Sequence, residues 1–434
     1  MPKGKRGKSK SGGRTSAPKL DANLVVGSEE ESNFDNASII SNVSESRFGS
    51  DDGTWGEEVE DGAMYDDFEE KMKEAIDGTT QKSAKGRMVC LETIRKGFTS
   101  KYMYDFIIER KITVTDMLER SLKKGKGEEQ EIAAILTALV CIHLGVGNEC
   151  ETLFHEIGPI FSQIIADPTA SSLARAKCAT ALGLCSFITS SGVSGLALNM
   201  QLLHTIFSGS FLKGNGAVPS HTPEVATLHS HALLAWSLLV TILSTSQVLE
   251  LAVSHLQKLS ELLESPNLEL RIAAGETIAV LYEVMRETDE DFEGDNIDEL
   301  CVKLQQLATD SQKFRAKKDR RQQRSSFRDV LRAVEGGESP DVRVKFGREI
   351  LYIDSWCKKR QYDALCYALG SGMNLHLKEN ELLRDIFELG APLANGGMVQ
   401  KISKFDRHMV NVAACKARTK SRGKLRDKRA DVIG

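Results

Sequence analysis

Three stretches decide how this chain folds: residues 87–94 read RMVCLETI, 175–182 read RAKCATAL and 271–278 read RIAAGETI. In each, an arginine is followed three residues later by Cys or Ala, four later by Leu, Ala or Gly, and seven later by Ile or Leu, the spacing of one helix face. Arg87 and Arg175 lie 88 residues apart, twice 44, and the midpoint at Glu131 opens another small-residue helix, EIAAILTALVCIHL. The 96 residues between Arg175 and Arg271 hold a fourth apolar helix, HSHALLAWSLLVTIL (229–243), displaced by the Gly/Pro/Ser-rich loop GSFLKGNGAVPSHTPE (209–224). A period near 44, with small residues where helices must approach closely, predicts an all-α fold, an armadillo/HEAT-like helical-repeat solenoid. Pro168 and Pro266, just ahead of two of these helices, suit helix starts. Such repeats stack into a slab whose concave face binds elongated partners.

Helical order begins where Tyr65, Phe68, Met72 and Ile76 step by three and four. Residues 62–310 are therefore expected to form the repeat domain, and residues 1–61 a disordered tail, because their charges are segregated. Residues 1–20 carry seven Lys/Arg and no acid; residues 21–61 carry twelve acids against Arg47 alone. Stretches this polar bury too little surface to offset their ordering entropy. The basic head is a nuclear-import signal, a nucleic-acid-touching arm or a solubilising tail. It has no apolar core of a signal peptide, so the chain is expected to stay inside the cell, in the cytoplasm and also the nucleus.

Over all 434 residues the charge nearly cancels, 57 basic against 61 acidic groups, and 41% apolar residues suffice for a large core. The longest apolar run, 232–243, is twelve residues broken by Ser237 and Thr241, short of the roughly 20 a membrane span needs, so no membrane partner is expected. Nine cysteines without a CxxC pair read as reduced core residues.

Chemistry of the enzymatic kind is absent from the pattern: no GxSxG, P-loop or HExxH occurs, and Gly145-Val146-Gly147 lacks a third glycine. His229 and His231, about 200° apart on a helix, read as core or surface histidines, not as a metal pair. Arg271 and Glu276 read as an inter-repeat ion pair. Neither an enzyme, a cofactor, a metal nor a small-molecule substrate is expected.

Two basic constellations remain. Residues 311–332 hold nine Lys/Arg against Asp319 and Asp329, with an apolar stripe at Phe327, Val330, Leu331 and Val334. Docked on that stripe, the element is expected to project Arg315, Lys317, Lys318, Arg320, Arg321 and Arg324 outward, as a solvated face or a phosphate-binding one. From Lys416 onward every second residue is basic: Lys416, Arg418, Lys420, Arg422, Lys424, Arg426 and Lys428, followed by Arg429. On a helix these charges ring the circumference, so burial of one face cannot hold the element. Residues 401–434, eleven Lys/Arg against three Asp, are a solvated or nuclear-import tail, or one ordered by surrounding phosphates. Residues 311–400 are expected to form the basic helix and a smaller C-terminal helical unit, since Phe346, Ile350, Ile353 and Trp356 recur at helical spacing and Leu382, Leu383, Ile386, Phe387 and Leu389 mark another apolar face.

In RAKKDRRQQRSSFRDVLRAVEGGE (315–338), LGSGMNLHLKENELLRDIFELG (369–390) and KARTKSRGKLRDKRAD (416–431), and in KSAKGR, LKKGKGEEQ and RIAAGETIA, the chain resembles the interferon-related developmental regulator family. The resemblance covers nearly all of residues 62–434; the loop at 209–224 and the acidic stretch match only in character. It implies a helical-repeat fold and two activities. One is binding to translationally inactive ribosomes, rRNA and ribosomal protein alike, with the body over the tRNA sites and a C-terminal helix, here Lys416 to Arg429, in the mRNA channel. The other is transcriptional co-regulation in differentiation, through co-repressor complexes that include histone deacetylases.

Overall fold

The computed structural model describes residues 61–189, 193–287, 289–310 and 316–392. Its helices are α1 (Asp61–Gly78), α2 (Ala84–Ser100), the short α3 (Tyr104–Glu109), α4 (Lys111–Lys124), α5 (Glu128–Leu144), α6 (Asn148–Ala166), α7 (Ser172–Thr189), α8 (Val193–Phe207), α9 (Pro223–Val240), α10 (Thr245–Leu262), α11 (Leu268–Arg286), α12 (Ile297–Thr309) and α13 (Lys317–Gly336). A hairpin, β1 (Val342–Phe346) and β2 (Glu349–Ile353), precedes α14 (Trp356–Leu369), α15 (Met373–Glu379) and α16 (Glu381–Ile386). Expectations for residues 1–60 and for the charges of 401–434 lie outside the described residues.

Arg87, Arg175 and Arg271 each occupy the fourth position of a helix, α2, α7 and α11. The equivalent positions of α5, α9 and α13 are Glu131, Ala226 and Arg320, so the period runs 44, 44, 51, 45 and 49. Its longest step holds the loop that the sequence marks as an insertion, entered through a 3-10 turn at Ser208–Ser210 and closed by Thr222, which caps α9 ahead of Pro223. These six helices pack side by side in sequence order, and each is backed by the helix before it, giving the helix pairs of an all-α solenoid.

The repeated arginine has a repeated task. Arg87 donates to the carbonyls of Gln81 and Lys82, Arg175 to that of Ile165 and Arg271 to that of Ser265, so each ties its helix to the segment leading into it. Arg87 also forks onto the Glu129 carboxylate at 2.7 and 2.8 Å, and Arg271 reaches Gln323 of α13 at 2.6 Å, linking one pair to the next. Arg271 does not pair with Glu276; the expected ion pair is replaced by these contacts, and Glu276 turns to Lys359 of α14. The small residues serve close approach: a Cβ on Gly183 would lie 2.7 Å from the Cβ of Ala235, and one on Gly275 2.8 Å from the Phe327 ring. Leu91, Ala179, Ile94, Leu182 and Ile278, the +4 and +7 residues, are fully buried.

Every residue of α5 from Ala133 to Leu144 is buried, more than a two-layer stack requires of one helix. The cover comes from the chain's own C-terminal unit. Helix α14 lies against α5, α9 and α11, and the turn at Gly370–Gly372 against α2. Tyr367 bonds Lys177 of α7 and meets the His231 ring, Gln361 bonds Thr241, and Asn380 donates to the Ile142 carbonyl at 3.0 Å. The face made by the second helices of the pairs is thus occupied from α2 to α11, which corrects the expectation that it is open to an elongated partner.

The hairpin corrects a second expectation. Phe346, Ile350 and Ile353 belong to two antiparallel strands, with Val342 opposite Ile353 and Phe346 opposite Glu349, not to a helix. Gly347, at φ 57°, forms the first of the two turn residues, a conformation that suits glycine and the right-handed twist of the flanking strands.

Candidate nucleic-acid interface

Helix α13 is two-faced. Gln323, Phe327, Val330, Leu331, Ala333 and Val334 are buried against α11 and α12, and Gly337, with φ 68°, ends the helix by returning its N–H to the Ala333 carbonyl. Gln323 acts as the polar pin of this stripe: its carbonyl accepts from Arg271 and its amide donates to Asp310 at 3.1 Å.

On the opposite side Lys317, Lys318 and Arg321 are exposed as the sequence predicts, and Arg328 and Arg332 join them. Arg320 and Arg324 do not project fully outward. Each stands three residues before a buried position, Arg320 before Gln323 and Arg324 before Phe327, on the flank of the buried stripe, and both are half-buried. Arg315 and the tail residues Lys416, Arg418, Lys420, Arg422, Lys424, Arg426, Lys428 and Arg429 lie outside the described residues. Asp319 is the exposed acid among the first-turn cations, and Arg332 approaches Asp329 only to 3.9 Å, so the face stays cationic.

Below this face the acids are already engaged. Burial raises the Asp329 carboxyl above the ordinary range, with Arg332 and Lys359 acting the other way. Burial also works against the Lys359 charge, but Glu276 and Asp363, each 2.8 Å from its ammonium, hold its pKa above the usual lysine value. Glu283 of α11 accepts the N–H groups of Trp356 and Cys357 at 2.7 and 2.9 Å, capping α14; burial nevertheless raises its pKa. These contacts clamp α14 to α11 and hold Glu276, Glu283 and Asp363 on the inner side of the helix pair.

The helical reading of the hairpin hid a second basic surface. Arg343 lies opposite Tyr352 and Lys345 opposite Ile350, all four exposed, while Phe346, Leu351 and Ile353 are buried. Arg348, at the turn, is exposed as well. The period-2 alternation of 342–346 and the Gly347-Arg348 turn were the signals that could have revealed it.

Arg384 organises the last described turn. It is 2% exposed, forks onto Glu349 at 3.1 and 2.8 Å, and donates to the carbonyls of Leu377, Leu389, Gly390 and Ala391 at 2.7 to 3.1 Å. It thereby anchors the point from which the chain continues toward its basic end. The histidines singled out in the sequence are satisfied core groups: His229 bonds Ser210 and His231 bonds Thr180, and burial holds both near pKa 4. Among the described residues no three acidic, Cys or His side chains gather as a metal site, and no helix is long and apolar enough to cross a membrane.

The sequence profile described as Interferon-related developmental regulator matches residues 36–335, and that of the Interferon-related protein conserved region matches residues 380–430. The chain belongs to the interferon-related developmental regulator family. It is 46% identical over 414 residues to Interferon-related developmental regulator 1 of Sus scrofa and 44% identical over 413 residues to that of Homo sapiens, in both cases covering 94% of this chain and 91% of the relative. Interferon-related developmental regulator 2 of Mus musculus is 46% identical over 384 residues, 87% of this chain and 86% of the relative. Within the family match, α13 falls almost wholly in the first region and Lys416–Arg429 in the second.

Proposed function

We propose that this protein is a non-enzymatic, RNA-binding inhibitor of translation that occupies idle ribosomes, its helical body over the tRNA sites and its basic C-terminal segment in the mRNA path. The observation that carries this reading is the outer face of α13, where Lys317, Lys318, Arg321, Arg328 and Arg332 stand exposed on a helix whose other side is locked into the core. A rigid row of cations engages phosphate with little loss of chain entropy, and its contribution scales with the counterions released. Family membership supports the same reading, because the resemblance implies ribosome binding and the second matched region includes the basic segment.

Sucrose-gradient fractionation of a cell lysate tests it. The full chain is expected to co-sediment with monomeric ribosomes, and the triple variant K317Q/K318Q/R321Q to dissociate at lower salt while melting at nearly the wild-type temperature. Sedimentation only with chromatin or small complexes would favour a nuclear scaffold for transcription complexes instead.

A further inference from the structure

We propose that the outward face of the β1–β2 hairpin is a single-stranded RNA-binding ribbon, with Tyr352 as a base-stacking platform and Arg343, Lys345 and Arg348 as its phosphate contacts. This rests on the RNA-binding reading above but concerns a different surface from α13 and the tail. Strand alternation places Arg343, Lys345, Ile350 and Tyr352 on one side, and the opposite side is fixed by Phe346, Leu351 and Ile353, each at most 2% exposed. The ribbon is therefore held rigidly by its inner face against α14 and α15, while its outer face carries a 52% exposed tyrosine that no core packing explains.

Charge complementarity selects the partner. The acids of the hairpin do not neutralise its outer face: Glu349 is taken by the Arg384 fork, Asp354 pairs with Lys358, and Asp341 meets Arg343 only at 3.4 Å with both side chains largely in water. An exposed pair of that kind contributes little and is readily exchanged for a phosphate. Arg343 and Lys345 are two residues apart on one strand face, about 6.6 Å at the usual rise, close to the spacing of successive phosphates in an extended strand. The Arg343 guanidinium lies 5.7 Å from the Tyr352 ring centre, so cation and ring share one spot where an unpaired base can stack and its phosphate can be met. A duplex, whose bases are already stacked, offers nothing to the ring.

Photo-crosslinking of the full chain to a 12-nucleotide oligouridine containing 4-thiouridine tests the assignment, with adducts mapped on tryptic peptides. The expected adduct is on residues 349–358, EILYIDSWCK, at Tyr352. Y352T, which keeps strand propensity but removes the ring, should abolish that adduct and weaken oligouridine binding about fivefold or more without changing the salt dependence. Y352F should retain both. R343Q/K345Q should lower the log-log salt slope by about 1.4, at about 0.7 per single-strand phosphate. Adducts confined to α13 or the tail overturn the proposal, as does a polyglutamate peptide that competes as well as the RNA. Absence of the protein from ribosome fractions with the Tyr352 adduct intact would instead overturn the ribosome reading alone and support this one.

Discussion

Two histidines from distant parts of the chain converge on one carbonyl. His143 of α5 and His376 of α15 both donate through Nε2 to Phe98 O, at 2.9 and 3.1 Å, and the Nδ1 of His143 accepts from the Met103 N–H, which fixes its neutral form. Burial, with His376 alongside, pushes the His143 pKa down to about 3, and burial lowers that of His376. The unfolded chain therefore binds more protons than the folded one between about 3 and the ordinary 6.5, so stability is complete above that range and falls as the pH drops into it. At pH 5 the loss from His143 alone is about 2 kcal/mol, from about 1.4 kcal/mol per pH unit. A thermal-melting series from pH 7.5 to 5 should show the midpoint falling, and H143Q should show a shallower fall; His229 and His231 keep some slope in the variant because they shift the same way. Equal slopes would remove His143 as a source. Gly183 has the opposite character, a residue that matters for what it lacks. In G183A the new methyl would meet not only the Ala235 Cβ but also its Cα at 3.1 Å, so α7 and α9 must part. Overpacking of about 1–3 kcal/mol exceeds the roughly 1 kcal/mol that alanine gains in helix propensity, and urea melts should show a net loss that A235G partly restores.

At the scale of elements, the docking of the C-terminal unit turns on Gly372, where a Cβ would lie 1.9 Å from the Thr99 carbonyl oxygen at the end of α2. That oxygen is backbone and cannot swing aside. G372A is therefore expected to cost roughly 3 kcal/mol, the upper part of the overpacking range, and to loosen α14–α16 first: their amide hydrogen exchange should speed up while α7 and α9 stay protected. Uniform exchange across all helices would mean that the unit and the stack open together. Little of this contact is legible in the sequence, because Gly372 and Thr99 are far apart along it and carry no shared pattern. The helix pairs are legible, since Arg87, Arg175 and Arg271 repeat a local task at a fixed helix position and the small residues behind them repeat a local need for space. The hairpin is not, because Phe346, Ile350, Ile353 and Trp356 satisfy a helical spacing by coincidence over a run too short for periodicity to decide. For the candidate site, composition reveals that 311–332 is cationic, but Arg320 and Arg324 are told apart from Lys317, Lys318 and Arg321 only once the edge of the buried stripe, Gln323, is known.

For the whole molecule, the described contacts that hold the body together all lie between residues 61 and 392. The second-helix face is already filled by α14–α16, which under the proposed function directs RNA to the outer face of α13, the hairpin or the chain's end, and the last described tertiary contact is that of Arg384 with Ala391. Deleting residues 407–434 leaves every described contact of the stack in place and should leave the melting temperature nearly unchanged. It does remove Arg407 and the eight basic residues from Lys416 to Arg429. As a helix, residues 407–428 would be about 33 Å long and about 10–12 Å wide, slim enough for a single-strand path, with phosphate contacts available all round. About five such contacts correspond to a log-log salt slope of roughly −3.5 on the single-strand coefficient. In a reconstituted translation assay the truncated protein is expected to lose competition with mRNA, and in gradients to keep a weaker, salt-sensitive association through α13. Undiminished repression by the truncated chain would show that the mRNA path is not where inhibition occurs and would move the weight to the scaffold reading.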